Sequence, residues 1–295
     1  MSTEPSGARR AVIVISSHVV RGSVGNRAAV FALEQLGHPV WSVPTVTMPW
    51  HPGHGRSTRI VAPAEAFAAM LDDIAAAPWL GEVGGVLSGY LGEAAQAEPV
   101  ARLVAAVKAR NADALYLCDP VIGDTGGLYV PEATAVAIRD RLLPLADIAT
   151  PNRHELQWLT GCDPIADSSA AIAAARAIAP ETVIVTSAPA MMAGSIGNLL
   201  ASRRDTLMAE HRAVPKPPNG PGDLFAALFL ARTMVGQPAE KALQLATASV
   251  FEVIARAAKR GADELMLETD AHSLVRPMAM VQTRRLHHPD GDRRA

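Results

Sequence analysis

Cysteine is scarce in this chain of 295 residues, which contains only Cys118 and Cys162. The two cysteines lie far apart and form neither a CxxC pair nor a zinc-binding pattern. Their spacing argues against a disulfide-stabilised secreted domain and against a cysteine zinc site. Because Cys118 ends an apolar run, it is expected to be a buried thiol. Cysteine usage therefore fits the reducing cytoplasm.

Long apolar runs and an excess of one charge are also lacking. No apolar run approaches the roughly 18 residues that span a bilayer, and the run at 11–15 is too short for a signal peptide. The net charge is −2, so no overall basic field would attract nucleic acid or an anionic membrane. The exception is a basic tail, which is interpreted as a solvated end or, alternatively, a binding tail: Arg284, Arg285, His287, His288, Arg293 and Arg294.

Apolar residues make up 49% of the chain and charged residues 19%, a composition that excludes a disordered chain. Strand-length apolar runs alternate with helix-length amphipathic stretches, which predicts a doubly wound α/β fold. The expected sheet is mostly parallel, with helices on both faces and an antiparallel hairpin margin near 191–210. We predict strands at 11–16, 40–43, 83–90, 114–120, 148–152 and 182–187.

The remaining segments complete this prediction. Residues 44–58 hold three prolines and are expected to form a loop. One domain is the simplest interpretation, with a flexible N-terminus at 1–10, a domain at 11–275 and a tail at 276–295. Helices are predicted at 26–36, from 63 onward, and at 99–110, 131–143, 153–159, 170–178, 223–235 and 239–260.

Polar residues recur where the predicted strands end. In an open parallel sheet, ligands bind beyond the carboxyl ends of the strands. Each Ser or Thr taken alone is more often a simple cap, but the set forms an edge that carries three carboxylates and suits Mg²⁺. The set comprises Ser16, Ser17, His18, Ser88, Gly89, Tyr90, Asp119, Asp124, Thr150, Asn152, Glu155, Thr186 and Ser187.

The sharpest local signal is the stretch NGPGDLFAALFLA at 219–231. Gly220 and Gly222 allow close backbone approach, and Asp223 opens a strongly apolar helix. A helix N-terminus with free N–H groups binds anions, so one interpretation is a phosphate cradle with a base beside it. The alternative is that Asp223 only caps the helix and interacts favourably with its dipole.

Several motifs together resemble the pyridoxal kinases of the ribokinase-like superfamily. GPGDLFAA at 220–227 is similar to the GxGD signature of the superfamily, and SSHVVRGSVGN at 16–26 looks like the opening pattern of pyridoxal kinases. LSGYLG, CDPVIGD, TPNRHEL and VIVTS follow in that family's order over about residues 11–260. The resemblance implies ATP-dependent phosphorylation of the 5′-hydroxyl of pyridoxal, and usually of pyridoxine and pyridoxamine. It also implies Mg²⁺, often K⁺, and a homodimer.

The resemblance also implies roles for individual residues. Asp223 matches the base that receives the substrate hydroxyl proton. The positions that match substrate contacts are Ser17, Val24, His51, Pro52 and Tyr129. The positions that match the nucleotide site are Asp119, Asn152, Glu155, Thr186, Ser187, Gly220 and Gly222. Those that match the metal region are Asp119, Asp124 and Glu155.

Two positions depart from the family pattern. Pro221 replaces the Thr of GTGD, which removes a hydroxyl and an N–H, and Pro52 replaces the Thr of SNHT. Two alternatives to a pyridoxal kinase therefore stay open. One is a hydroxymethylpyrimidine kinase of the same fold, and the other is a vitamin B6-binding protein that has lost catalysis. His51 and His54 have no third ligand nearby, so a histidine metal site is not expected.

Overall fold

The structure is a computed structural model that describes residues 9–286. The expectations for residues 1–8 and for residues 287–295 lie outside the described residues. The helices are α1 (Asn26–Gln35), α2 (Ala64–Ala76), α3 (Ala97–Arg110), α4 (Glu132–Ala137), α5 (Arg153–Thr160), α6 (Ser168–Arg176), α7 (Pro221–Met234), α8 (Ala239–Arg260) and α9 (Ala271–Val275). The strands are β1 (Ala11–Val19), β2 (Val40–Met48), β3 (Val83–Ser88), β4 (Leu115–Cys118), β5 (Gly123–Asp124), β6 (Gly127–Leu128), β7 (Ile148–Ala149), β8 (Thr182–Pro189), β9 (Ser195–Ser202), β10 (Thr206–Arg212) and β11 (Gln282–Arg285).

A nine-stranded sheet organises the described residues, in the order β11-β10-β9-β8-β7-β4-β3-β1-β2. The strands from β2 to β8 in this order pair in parallel. The pairs β8–β9, β9–β10 and β10–β11 are antiparallel. The predicted fold class, a mostly parallel sheet with an antiparallel margin, is confirmed. Strands β5 and β6 form a separate small hairpin.

Alternation along β1 explains why helices cover both faces. Val12 and Val14 pack with α1, α7 and α8, whereas Ile13 and Ile15 pack with α2 and α3 on the other face. A strand that is buried on both sides reads as a continuous apolar run, which is why 11–15 carries no alternating pattern. Within residues 9–286, no helix combines the length and the apolar character needed to cross a bilayer.

The second strand is longer than predicted, because β2 continues through Pro44 to Met48 into the segment 44–58 that we expected to be a loop. The strand lies at the sheet edge next to β1, where a proline leaves no ladder hydrogen bond unmade. Val46 and Met48 are buried there. The loop prediction was therefore wrong for 44–48, and the cause was reading proline as a break.

Two further segments differ from the prediction. The helix expected at 131–143 is α4 followed by a π-helical turn at Ile138–Leu142. Strand β11 lies within the segment 276–295 that we expected to be a tail, and it pairs with β10. The sequence of β11, QTRR, has no apolar residue, so nothing in its pattern indicated a strand. Backbone pairing with β10, together with an ion pair between Arg285 and Asp205, places Arg284 and Arg285 at the sheet edge.

Candidate active site

Asp223 lies where two helix N-termini meet at the carboxyl edge of the sheet. It sits in the first turn of α7, and its carboxyl accepts hydrogen bonds from the backbone amides of Gly25 and of Asp223 itself. Gly25 is the N-cap of α1. Burial raises the pKa of Asp223 to about 6, and the two amides oppose that rise. Above that pH the group is a carboxylate that can accept a proton.

Asp119 lies beyond the end of β4 and faces Asp223. Its carboxyl Oδ1 accepts a hydrogen bond of 2.8 Å from Thr150 Oγ1. Burial, followed by the charge of Asp223, raises the pKa of Asp119 to about 8. Both carboxyls line a small cavity with room for about one water molecule, together with Ser16 and Gly89. Two carboxyls held this close to each other favour a nearby cation or a shared proton.

Glu155 is buried and its carboxyl is held by backbone amides. Oε1 accepts from the amides of Ile122 and Gly123 at 3.0 and 3.4 Å, and Oε2 accepts from the amide of Asn152 at 2.7 Å. Asn152 completes a capping box, since its side chain accepts from the amide of Glu155 at 2.9 Å. Glu155 therefore orients the turn after β4, and its oxygens already have partners.

Asp124 belongs to the β5–β6 hairpin, which Asn152 holds by donating from Nδ2 to Gly123 O at 2.8 Å. The Oδ1 of Asp124 accepts from the amide of Gly126 at 2.8 Å, and the residue is exposed. Tyr129, just beyond the hairpin, is half-exposed, and its pKa is raised by burial and then by the carboxyls of Glu155, Asp119, Asp223 and Asp124. Because these carboxyls contribute to the shift, the Tyr129 hydroxyl lies near them.

The metal set of Asp119, Asp124 and Glu155 stays a prediction. Within residues 9–286, no three His, Cys, Asp or Glu side chains are grouped so that they could hold one ion. In the expected set, Glu155 accepts backbone amides and Asp124 accepts the amide of Gly126. The raised pKa of Asp119 marks a carboxyl whose ionised form a cation would stabilise. One carboxylate plus phosphate oxygens and waters is a usual Mg²⁺ environment.

Thr186 and Ser187 lie in the second half of β8, between Val185 and Ala188, where the register with β9 shifts. The amide of Thr186 donates to Pro151 O at 2.9 Å, and Thr186 also pairs with Asn152 in a parallel bridge. Ser187 has a φ of 54°, a left-handed conformation that is strained for serine. Ser187 is exposed at this bulge, next to the turn that Asn152 caps.

Ser17 and Val24 lie next to Gly25, whose amide binds the Asp223 carboxyl. Ser17 falls at the register shift between Ser16 and His18 on β1, and such a bulge redirects a side chain. A Cβ at Gly25, whose φ is 55°, would lie 2.3 Å from Ser17 Oγ, so the glycine lets the two segments touch. Both Ser17 and Val24 are buried. They line the end of β1 that leads to the N-terminus of α1.

The phosphate cradle is the turn at residues 220–222, where α7 begins. His51 and Pro52 belong to a short turn close to it. His51 Nδ1 accepts from the amide of Gly53 at 3.0 Å, and burial lowers the pKa of His51. Both observations favour an unprotonated Nδ1. A Cβ at Gly53 would lie 3.0 Å from Asn219 Nδ2, which places this turn against the residue that precedes the cradle. Pro52 is exposed.

The two cradle glycines differ in what surrounds them. Gly220 has a φ of 97°, and a Cβ there would lie 2.2 Å from Ser23 O. Gly222 has open space around the position of a Cβ. Pro221 is the first residue of α7, where its missing N–H has no helical partner to lose. Gly220 is thus required by the fold, and Gly222 leaves room for a ligand at the helix N-terminus.

Sequence reasoning missed two positioning side chains. Asn26 is buried, and its Nδ2 donates to Ser16 O and Val43 O, which fixes the ends of β1 and β2. Its position inside the VGN motif was a usable signal. Glu264 contacts Ser23 and His54 from a segment after α8, where no motif pointed to the site.

Comparisons with known proteins agree with this geometry. The family model described as phosphomethylpyrimidine kinase matches residues 64–268. The chain is 38% identical to pyridoxal kinase PdxY of Rubrobacter xylanophilus over 93% of this chain and 97% of that protein. It is also 38% identical to pyridoxal kinase PdxY of Granulibacter bethesdensis, over 90% of this chain and 96% of that protein.

A solved structure extends the agreement to three dimensions. Pyridoxal kinase from Leishmania donovani in complex with ADP and pyridoxine superposes with a TM-score of 0.87 and 29% sequence identity, and the match covers 94% of this chain and 99% of that one. On this evidence the chain belongs to the pyridoxal kinases, a family of ATP-dependent kinases with the ribokinase-like fold.

Proposed function

We propose that the chain transfers the γ-phosphoryl group of ATP to the 5′-hydroxyl of pyridoxal, giving pyridoxal 5′-phosphate in vitamin B6 salvage, and that it also accepts pyridoxine and pyridoxamine. The observation that carries this proposal is the Asp223 carboxyl between the N-termini of α1 and α7. The relatives' names and the ligands of the Leishmania donovani structure supply the choice of substrate. A base and an anion cradle in contact are the parts that phosphoryl transfer needs.

The proposed mechanism is mostly positioning and charge stabilisation. Asp223 accepts the proton of the attacking hydroxyl as the oxygen bonds to the γ-phosphorus and the bond to the β-phosphate oxygen breaks. The amide of Gly222, at the start of α7, faces the transferred group. We assign vitamin contacts to Ser17, Val24, His51, Pro52 and Tyr129, and nucleotide contacts to Asp119, Asn152, Glu155, Thr186, Ser187, Gly220 and Gly222.

Mg²⁺ belongs to the same proposal. Asp119 would hold it, directly or through water, and the ion would supply charge neutralisation for the phosphates. The buried carboxyls of Asp119 and Asp223 together favour a cation at this place. K⁺ is proposed as the monovalent ion on the resemblance to the family alone.

The test of function compares acceptors. The purified chain with ATP and Mg²⁺ is expected to phosphorylate pyridoxal with a kcat/KM well above that for hydroxymethylpyrimidine, measured by ADP release and product identification. The description of the matching family model favours the pyrimidine as the second candidate. The reverse ratio would support the pyrimidine kinase, and tight pyridoxal binding without ADP release would support a binding protein.

Replacing Ser17 with alanine is expected to raise the KM for pyridoxal more than it lowers kcat. A hydroxyl that contacts the ring equally in the ground state and the transition state contributes to KM alone. Steady-state kinetics with varied pyridoxal measures the effect, and the KM for ATP, which should not change, is the internal control. An unchanged KM for pyridoxal would remove Ser17 from the vitamin pocket.

Chelation of Mg²⁺ is expected to stop turnover, and Asp119→Asn is expected to raise the half-saturating Mg²⁺ concentration about 10-fold or more. Asp124→Asn is the matched control, because its carboxyl caps the turn at Gly126. The measurement is the initial rate as a function of free Mg²⁺ at saturating ATP. An equal dependence for the wild type and Asp119→Asn would show that Asp119 does not hold the ion.

The remaining proposals concern assembly and place. We propose a single kinase domain at 11–275, a homodimer and a cytoplasmic location. The one sheet that joins β1 to β10 supports the single domain, and the free thiols of Cys118 and Cys162 support the location.

Val20 and Ile60 are both more than half exposed and pair with neighbouring residues of β2, which supplies an apolar patch for the dimer. Sedimentation equilibrium tests the dimer.

A further inference from the structure

Two loops on the vitamin side of the site are held by one carboxylate. Glu264, after α8, is 9% exposed. Its Oε2 accepts a hydrogen bond of 3.3 Å from the amide of Ser23, in the loop 20–24. Its Oε1 lies 2.8 Å from His54 Nε2, in the loop 51–55. A single side chain from the C-terminal part of the chain therefore connects two segments that are far apart in sequence.

Neighbouring contacts strengthen this connection. Ser23 Oγ donates to Leu265 O at 2.8 Å, so the residue after Glu264 holds the same loop. Gly22 has a φ of 113°, and a Cβ there would lie 2.5 Å from Glu264 Oε1. The carboxyl group thus packs directly on the loop backbone, where no side chain fits.

Both loops also touch the anion cradle. Ser23 O is the atom that a Cβ at Gly220 would meet at 2.2 Å. Gly53 lies against Asn219, with 3.0 Å between its Cβ position and Asn219 Nδ2. A shift of either loop would therefore reach the backbone that begins α7. Glu264 is therefore connected to the cradle through both loops.

We propose, on the basis of the proposed function, that Glu264 is a positioning residue that fixes the loops 20–24 and 51–55 through Ser23 and His54 so that the vitamin pocket is formed before substrate enters. Its contacts lie within the two loops and with Arg21, whose Nη1 is 3.7 Å away. The proposal concerns substrate binding. It gives Glu264 no part in proton transfer or phosphoryl transfer.

The neighbouring Asp263 supplies a matched control. It forms an ion pair of 2.8 Å with Arg21, both side chains being more than half exposed, and its Oδ2 lies 4.0 Å from His54 Nδ1. Exposed ion pairs contribute little to stability. Asp263→Asn therefore removes one charge beside Glu264, at the same place in the chain, while the contacts of Glu264 with Ser23 and His54 stay.

Glu264→Gln is expected to raise the KM for pyridoxal about tenfold, as the loss of the charge from a largely buried, hydrogen-bonded carboxylate predicts. The kcat and the KM for ATP should stay within about twofold of the wild type, because a loss of uniform binding appears in KM. Asp263→Asn should leave all three values unchanged. His54→Ala should raise the same KM in the wild type and have a smaller effect in the Glu264→Gln background.

A second measurement is independent of substrate identity. Amide hydrogen exchange should increase in the loops 20–24 and 51–55 of Glu264→Gln and should not increase in Asp263→Asn. A wild type without pyridoxal turnover would defeat the proposed function, and the exchange data would still test the positioning of the loops. Unchanged exchange in Glu264→Gln would overturn the proposal. A folded Glu264→Gln with the wild-type KM for pyridoxal, or a lower kcat with that KM, would also overturn it.

Discussion

Replacing Asp223 with asparagine is expected to lower kcat by about 10²–10⁴-fold, the usual contribution of a positioned base. Asparagine keeps the size of the side chain and its ability to accept the amide of Gly25, but it does not take a proton at neutral pH. The chain should stay folded and should bind ATP with nearly unchanged affinity. Single-turnover kinetics with pyridoxal, combined with nucleotide titration, measures both effects.

Asp167 provides the control for this experiment. It is the N-cap of α6 and accepts from the amide of Ala170 at 2.9 Å, on a helix far along the chain from the cradle. If Asp223 were only a cap, Asp223→Asn and Asp167→Asn would both leave kcat near the wild-type value. An Asp223→Asn variant that retains more than half of kcat would therefore refute its role as the base.

Opposite outcomes are expected for the two cradle glycines. Gly220→Ala should destabilise the chain by about 1–3 kcal/mol, because its left-handed φ is strained for alanine and its Cβ would collide with Ser23 O. Gly222→Ala should leave stability unchanged or raise it by up to about 1 kcal/mol, since alanine favours the helix. Gly222→Ala should nevertheless lower kcat/KM for ATP, because the added methyl group occupies the open space beside the amide of residue 222.

Thermal unfolding and ATP kinetics on the two variants check this pair. The measurement separates a glycine that the fold requires from one that the ligand requires. A Gly222→Ala variant with wild-type kinetics would show that the phosphate does not approach that position. A Gly220→Ala variant as stable as the wild type would show that the loop 20–24 can move away from α7.

The sequence predicted the fold well where apolar runs carry the signal. Strand β1 and helix α8 are examples, since a run buried on both faces and a long amphipathic pattern are each unambiguous. Strand β2 was cut short because proline on an edge strand reads as a break. Strand β11 could not be predicted, because it is held by backbone pairing to β10 and its side chains are polar.

The candidate site was likewise predicted only in part. Asp223, Asp119 and the cradle glycines follow from strand ends and from the GxGD resemblance. The hydrogen bonds of Glu155 could not be predicted, because sequence indicates a carboxylate but not the three backbone amides that bind it. Glu264 was missed because its partners lie more than two hundred residues earlier in the chain.

The meeting of α1 and α7 at Asp223 has a consequence for synthesis of the chain. The amide of Gly25 emerges from the ribosome early, whereas the carboxyl that it binds is made only after all six parallel strands. A nascent chain that ends before α7 can form much of the sheet yet has no base and no cradle. Because contacts so distant in sequence form late in folding, phosphoryl transfer becomes possible only when the chain is nearly complete.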